Sequence, residues 1–165
     1  MSGVVEISSS SFSDTRGVLW TSFQNQQFAK LTGHDLIFCH DKFAFNREGV
    51  VRGIHGDYSS WKLVSCPLGT VFQVVVDCRP TSPTYLSWAL TYLSQKKANS
   101  VLIPPGYGNA FCTYQGEALY HYKLAYSGNY IDQDQQFTMA WNDPRLNIPW
   151  PEKNPILSNR DRNVT

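Results

Sequence analysis

Turn-forming residues cut this chain into short apolar runs along its whole length, and that punctuation constrains the fold more than any other feature. Asp14 to Gly17, Pro67-Leu68-Gly69, Arg79 to Pro83, Lys96 to Asn99, Pro104-Pro105-Gly106 and Gln115-Gly116-Glu117 all read as turns. The runs between them are too short for core helices and rich in β-branched and aromatic residues. They cover residues 4–7, Val18 to Phe23, a stretch starting within Leu36 to Asp41, Trp61 to Cys66, Thr70 to Cys78, Tyr85 to Leu93, Val101 to Ile103, Ala110 to Tyr114 and Ala118 to Tyr126. Turn signals recurring about every 8 to 12 residues predict an all-β sandwich or barrel. Gln24 to Thr32, stopped by Gly33, is the best helix candidate. The last 25 residues hold four prolines and little periodicity, and are expected to wrap the barrel as turns and a short helix. No repeat, low-complexity segment or interior linker divides the chain, so residues 1–165 are read as one domain.

Composition removes several function classes. Charged residues are 16% of the chain, the net charge is +1, and no basic run exceeds two residues, which gives nucleic-acid binding no electrostatic support. No run of about 18 apolar residues exists to span a membrane. The start, Met1-Ser2-Gly3-Val4-Val5-Glu6, has neither the basic nor the apolar region of a signal peptide, so a cytoplasmic protein is expected. Cys39, Cys66, Cys78 and Cys112 form no C-x-x-C pair and sit in strand-like stretches; buried free thiols are expected, and zinc-ligand spacing is absent.

Chemistry concentrates in Gly49-Val50-Val51-Arg52-Gly53-Ile54-His55-Gly56-Asp57 and the following Lys62-Leu63-Val64. A histidine is the side chain suited to accept a proton near neutral pH. A lysine can stabilise a developing oxyanion, and an arginine suits bidentate contact with phosphate. Together His55, Lys62 and Arg52 suggest proton abstraction from a phosphorylated substrate. Taken alone, a histidine among glycines and an isoleucine is more often a turn or core residue.

The central stretch does not stand alone. With Val74-Val75-Val76-Asp77-Cys78-Arg79, Ile103-Pro104-Pro105-Gly106, Trp141-Asn142-Asp143-Pro144, Trp150-Pro151 and Leu157-Ser158, it resembles the dTDP-4-dehydrorhamnose 3,5-epimerase family in order and spacing, from about Phe12 to Asp161. The resemblance implies a cupin-type jelly-roll barrel with a turn-rich C-terminal segment, a homodimer that exchanges N-terminal strands, a nucleoside-diphosphate-sugar substrate, and no metal or organic cofactor. His40-Asp41-Lys42-Phe43, Arg52 to Asp57, Ser82 to Trp88, Tyr122 to Tyr126 and Gln136-Phe137-Thr138 are more similar to a bacterial subgroup that epimerises GDP-linked 4-keto-6-deoxy-heptoses for capsule or O-antigen.

A ketone at C4 acidifies the hydrogens on C3 and C5, so inversion needs a base on one face and an acid on the other. By the resemblance, His55 is the base, Asp161 orients and charges it, and Tyr126 is the acid, with Tyr130 the alternative. Lys62 holds the C4 oxyanion, Arg52 binds the diphosphate, and Arg16 reaches the site from a neighbouring subunit. Departures from the family pattern bear on specificity: Asn109 stands in place of a histidine, Gln73 in place of an aspartate, and His40 and Lys42 in place of the residues that read the base. They leave open the nucleotide, and whether C3 alone or both C3 and C5 are inverted. The rivals are a sugar 3,4-ketoisomerase, a barrel that only binds a nucleotide sugar, and a metal-dependent cupin. The last lacks its His-x-His, since His55 is followed by Gly56-Asp57.

Overall fold

A computed structural model of the chain describes residues 1–164. In chain order the strands are β1 (Val5–Ser8), β2 (Ser11–Asp14), β3 (Gly17–Trp20), β4 (His40–Asn46), β5 (Val51–Gly56), β6 (Trp61–Leu68), β7 (Thr70–Asp77), β8 (Trp88–Ser94), β9 (Asn99–Ile103), β10 (Tyr107–Thr113), β11 (Ala118–Ala125) and β12 (Phe137–Thr138). Helix α1 spans Asn25–Thr32, a 3-10 turn spans Gln133–Gln135, and α2 spans Asn159–Arg162. Two five-stranded antiparallel sheets, ordered β1-β9-β6-β11-β4 and β12-β5-β10-β7-β8, form the expected all-β jelly-roll barrel, and β2 and β3 make a separate hairpin.

The core lies between the sheets. Val64, Val101, Ile103 and Tyr120 from the first meet Val71, Val75, Tyr107 and Phe111 from the second. The second sheet is also covered outside, where Trp141, Ile148, Trp150 and Leu157 of the C-terminal tail pack on Val51, Ile54, Phe72, Val74 and Val76. Burial on both faces explains why Val74-Val75-Val76 is a continuous apolar run rather than an alternating one. The first sheet is capped outside by α1 through Phe28, Leu63 and Leu102. Gly33 ends α1 in the left-handed region, at φ 73°, as its place after Thr32 suggests.

Several boundaries differ from the sequence reading, each for a local reason. Strand β6 runs through Pro67 to Leu68 instead of turning there. Its pairing with β11 slips by one residue between Ser65 and Leu68, so the proline falls in a bulge where no ladder donor is needed. Tyr85 to Ser87 are not strand: they form a turn drawn to Asp77, with Leu86 at φ 64°. The segment around Leu36 and Phe38 covers α1, and the strand starts at His40. Cys66, Cys78 and Cys112 are buried free thiols, but Cys39 is exposed because it precedes the edge strand β4, which has no neighbour on one side.

The irregularity that matters for function lies in β5. His55 pairs with Asn109 and Arg52 with Phe111, so three steps along β5 match two along β10. Residues three apart on a regular strand point to opposite faces. The extra residue turns Arg52 and His55 toward the same cavity. Gly53 permits this: its φ is +130°, and a Cβ there would lie 2.4 Å from the Ala110 Cβ. The displaced Ile54 backbone is satisfied by the tail, donating to the Met139 carbonyl at 3.1 Å and accepting from the Met139 amide at 3.0 Å.

Gly53→Ala is expected to lower stability by about 2–4 kcal/mol and to separate Arg52 from His55, measured by denaturant unfolding. At the far end of β7, the fully buried Asp77 carboxylate accepts from Arg79, Ser82 and Thr84. Burial alone raises its pKa, but these donors outweigh that and hold it well below the ordinary carboxylate value. A depressed folded-state pKa gives stability that is present above the unfolded value near 4 and lost as pH falls through the folded one. Asp77→Asn should therefore lower Tm at pH 7 and flatten the acid limb of the Tm–pH curve, read by calorimetry from pH 7 to 2.

Candidate active site

A cavity of about 590 Å³ opens at one end of the barrel, walled by β4, β6 and β11 of the first sheet, β5 and β10 of the second, the segment around Tyr130 to Gln136, and α2. Two buried carboxylates each hold a basic group in it.

On the second-sheet side, His55 Nε2 lies 2.5 Å from Asp161 Oδ1. This contact leaves Nδ1 as the second ring nitrogen, so a neutral His55 that donates from Nε2 carries its lone pair on Nδ1. Asp161 reaches the site because the tail folds back over the barrel and ends in α2. Ser158 caps that helix, accepting from the Asp161 amide and donating its hydroxyl to Oδ2 at 2.7 Å. Burial pushes the Asp161 carboxyl up, and the His55 hydrogen bond and charge, with Ser158 and Arg160, pull it down further, for a net lowering. Asp161 is thus a buried anion fitted to hold an imidazolium.

On the first-sheet side, Lys62 Nζ lies 3.0 Å from Asp57 Oδ2. Tyr120, Tyr122 and Leu124 point inward by the alternation of β11, and Tyr122 and Leu124 line the cavity. Burial pushes the Tyr122 phenol up, Arg52 opposes this, and Tyr130 and Asp161 add to it. Its hydroxyl therefore stays protonated and able to donate. Arg52 is steered by its Nε, which donates to the Asn46 Oδ1 at 2.7 Å and leaves the terminal nitrogens for an anion.

Of the residues expected from sequence, His55, Asp161, Lys62, Arg52, Asn109 and Lys42 line this one cavity. Four others lie elsewhere in the chain. Gln73 is buried behind the wall, donating to Asn109 Oδ1 at 2.7 Å and accepting from the Tyr120 hydroxyl at 2.6 Å, so it supports Asn109 rather than reaching a ligand. Tyr126 follows the end of β11, bonds His40 Nδ1 at 3.2 Å, and neither of the pair lines the cavity. Tyr130 does line it, with its hydroxyl 3.2 Å from Lys42 Nζ. Arg16 sits at the tip of the exposed β2–β3 hairpin, paired with Asp14. Sequence reasoning missed Asp57, Tyr122 and Arg160. Strand alternation from Tyr120 would have pointed to Tyr122; Asp57 stood within the central motif without a role, and nothing local singled out Arg160. Among the described residues, no three of His, Cys, Asp and Glu cluster as a metal site.

Comparison with known proteins agrees with this architecture. The model of the dTDP-4-dehydrorhamnose 3,5-epimerase family matches residues 1–165. A dTDP-4-dehydrorhamnose 3,5-epimerase of Shigella flexneri is 36% identical over 155 residues, covering 92% of this chain and 84% of that protein. A dTDP-4-dehydrorhamnose 3-epimerase of Streptomyces niveus is 36% identical over 165 residues, covering 98% and 78%. The crystal structure of the dTDP-6-deoxy-D-glucose-3,5-epimerase of Legionella pneumophila, in complex with dTDP-4-keto-L-rhamnose, superposes with a TM-score of 0.92 at 31% identity, covering 99% of this chain and 87% of that one. With the family model matching from end to end and the barrel shared, the chain belongs to the dTDP-4-dehydrorhamnose 3,5-epimerase family.

Proposed function

We propose that this protein is an epimerase of a nucleoside-diphosphate-linked 4-keto-6-deoxy sugar, inverting C3 through an enolate. The observation that carries the proposal is the placement of a carboxylate-backed histidine on one sheet and a protonated tyrosine with a buried lysine on the facing sheet, around one cavity. His55 Nδ1 takes the C3 hydrogen as a proton, and Asp161 stabilises the imidazolium. The electron pair moves onto the C4 oxygen, where the Lys62 ammonium meets it. Tyr122 returns a proton to C3 from the opposite face; His55 then releases its proton to solvent and the Tyr122 phenolate takes one back, so the net change is one of configuration. Tyr122 takes the acid role here in preference to Tyr126, because it points inward from a strand while Tyr126 lies outside the cavity; Tyr130, which lines the cavity with its hydroxyl on Lys42, is the alternative acid.

The nucleotide favoured by the comparisons is dTDP, which all three relatives described above carry in their names. A GDP-heptose is the second reading. It draws on the subgroup likeness of His40 to Phe43 and Arg52 to Asp57, and on Lys42 standing in the cavity wall where a base could be read. The Asn109–Gln73 pair is neutral and cannot accept a proton at pH 7, which favours inversion at C3 alone. A homodimer that exchanges N-terminal strands accounts for the exposed β2–β3 hairpin, and would bring Arg16 to the partner's substrate.

Proton NMR in deuterium oxide is the test, with dTDP-4-keto-6-deoxyglucose and a GDP-4-keto-6-deoxy-heptose as separate substrates. Exchange of the C3 hydrogen on the dTDP sugar is expected. Exchange at C5 as well makes the enzyme a double epimerase, and exchange only on the GDP sugar selects the second reading. Migration of the ketone to C3 identifies a ketoisomerase, and binding without exchange leaves a binding barrel. Two substitutions separate the residue roles. Tyr122→Phe is expected to lower turnover at least about 100-fold while Tyr126→Phe stays within a few-fold; the reverse order would return the acid role to Tyr126. His55→Asn should abolish exchange with binding changed only a few-fold, read by calorimetric titration.

A further inference from the structure

We infer that Asp57 is the positioning residue that keeps Lys62 charged and aimed into the cavity, so that the C4 oxyanion meets an ammonium rather than a neutral amine. The inference rests on the epimerase reading above and adds a residue to it.

Lys62 is 6% exposed and Asp57 3%. An isolated buried lysine sheds its proton, because burial disfavours the charged form. The ionisable groups around this cavity sharpen the problem. Arg52 from β5, Arg160 from α2 and Lys42 from β4 are cations sharing the cavity, and each disfavours a further positive charge. Tyr122 of β11, whose phenol burial pushes up, stays neutral, and Tyr130 brings a hydroxyl and no carboxylate. Asp132 is exposed. The Asp161 carboxylate is engaged by His55 and Ser158. Asp57 is the carboxylate hydrogen-bonded to Lys62.

Asp57 is itself fixed. Its Oδ1 accepts the backbone amides of Ser59 at 2.9 Å and Ser60 at 2.6 Å and the Ser59 hydroxyl at 3.3 Å, and its backbone carbonyl accepts from the Gly106 amide at 2.7 Å. Oδ2 is left for Lys62 at 3.0 Å. Burial raises the Asp57 carboxyl, but the Lys62 charge and these amides outweigh it, so it is held as an anion. The Asp57–Ser60 turn thus sets where Nζ sits. An ammonium has three donors; the ion pair uses one, and two remain for a substrate oxygen. The arrangement mirrors His55–Asp161 across the cavity, with one carboxylate backing the base and the other backing the oxyanion partner.

The experiment is Asp57→Asn in the full chain, which keeps the shape and an acceptor but removes the charge. Circular dichroism and thermal melting establish the fold, and kcat and KM are measured from pH 6 to 10 on whichever sugar the wild type turns over. Turnover at pH 8 is expected to fall at least about tenfold, with KM within about threefold. The alkaline limb of kcat should also move at least about one pH unit lower than in the wild type. A kcat profile lowered in parallel at every pH would overturn the inference, since a purely structural pair predicts that.

A second readout needs no substrate. Acylation of Lys62 at pH 7.5 by an N-hydroxysuccinimide ester, followed by peptide mass spectrometry, reports the neutral amine. It should be at least about tenfold faster in Asp57→Asn, with Lys96 and Lys97 as surface references; an unchanged rate overturns the inference. Faster acylation in a protein that exchanges no substrate proton would instead keep the ion-pair role and remove the epimerase reading. If Asp57→Asn does not fold, Asp57→Glu decides: it keeps the charge and displaces Nζ, so kcat should drop with the alkaline limb unmoved, and a limb that moves overturns the inference.

Discussion

Where β5 runs beside β10 there is no room for a side chain at position 53. A Cβ there would lie 2.4 Å from the Ala110 Cβ and 2.8 Å from the Asn109 carbonyl oxygen, and a backbone at φ +130° would strain any residue but glycine. This close approach is the constraint from which the site follows. It lets β5 carry one residue more than its partner, and the extra residue puts Arg52 and His55 on the same side. A regular strand would have sent one of them into the apolar layer under the tail, beside Val51 and Ile54. The strand edge disturbed by the bulge is repaired by Met139, whose backbone exchanges two hydrogen bonds with Ile54. The tail thus completes the sheet that carries His55.

The same tail supplies the anion behind the His55 ring. Asp161 is 106 residues from His55 in sequence and 2.5 Å from it in space. What brings them together is apolar burial: Trp141, Ile148, Trp150 and Leu157 cover the outer face of the second sheet. The Ser158 cap then turns the last residues inward. A buried carboxylate is costly unless paired. Here the cost is offset by a histidine and a serine on one side of the cavity, and by a lysine and two backbone amides on the other. Each pair is stable because it is complete, and each leaves one functional nitrogen facing the space a substrate would fill.

The neighbouring polar pair obeys the same rule without charge. Gln73, Asn109 and the Tyr120 hydroxyl satisfy one another inside the barrel. Asn109 is therefore a neutral wall beside the charged groups, and the ring that a buried carboxylate backs on this side of the cavity is that of His55.

The regular turns and β-branched runs of the sequence were enough to point to an all-β sandwich or barrel with one short helix, and six motifs in register from about Phe12 to Asp161 carried the resemblance to the family. The fold class is legible because turn residues and β-branched composition act over a few residues, and each motif of the resemblance is itself a short local run. The limits of β6 and β8 were not, because a bulge absorbs Pro67 and the Asp77 network draws Tyr85 to Ser87 out of the strand, and both depend on partners distant in sequence. Which of the tyrosines reach the cavity was likewise closed to sequence: Tyr122 enters it from β11 and Tyr130 from the segment beyond, while Tyr126, just past the strand end, turns to His40 instead. Asp57 closes the central motif but took on a role only when its turn buried it against Lys62, and Arg160 only when the tail brought it to the cavity wall. Sequence determined the all-β class and the residue types available to the site, because those follow from short-range patterns. Only the tertiary structure decided which charges are paired and which hydroxyl points inward, because pairing and burial are properties of packed elements.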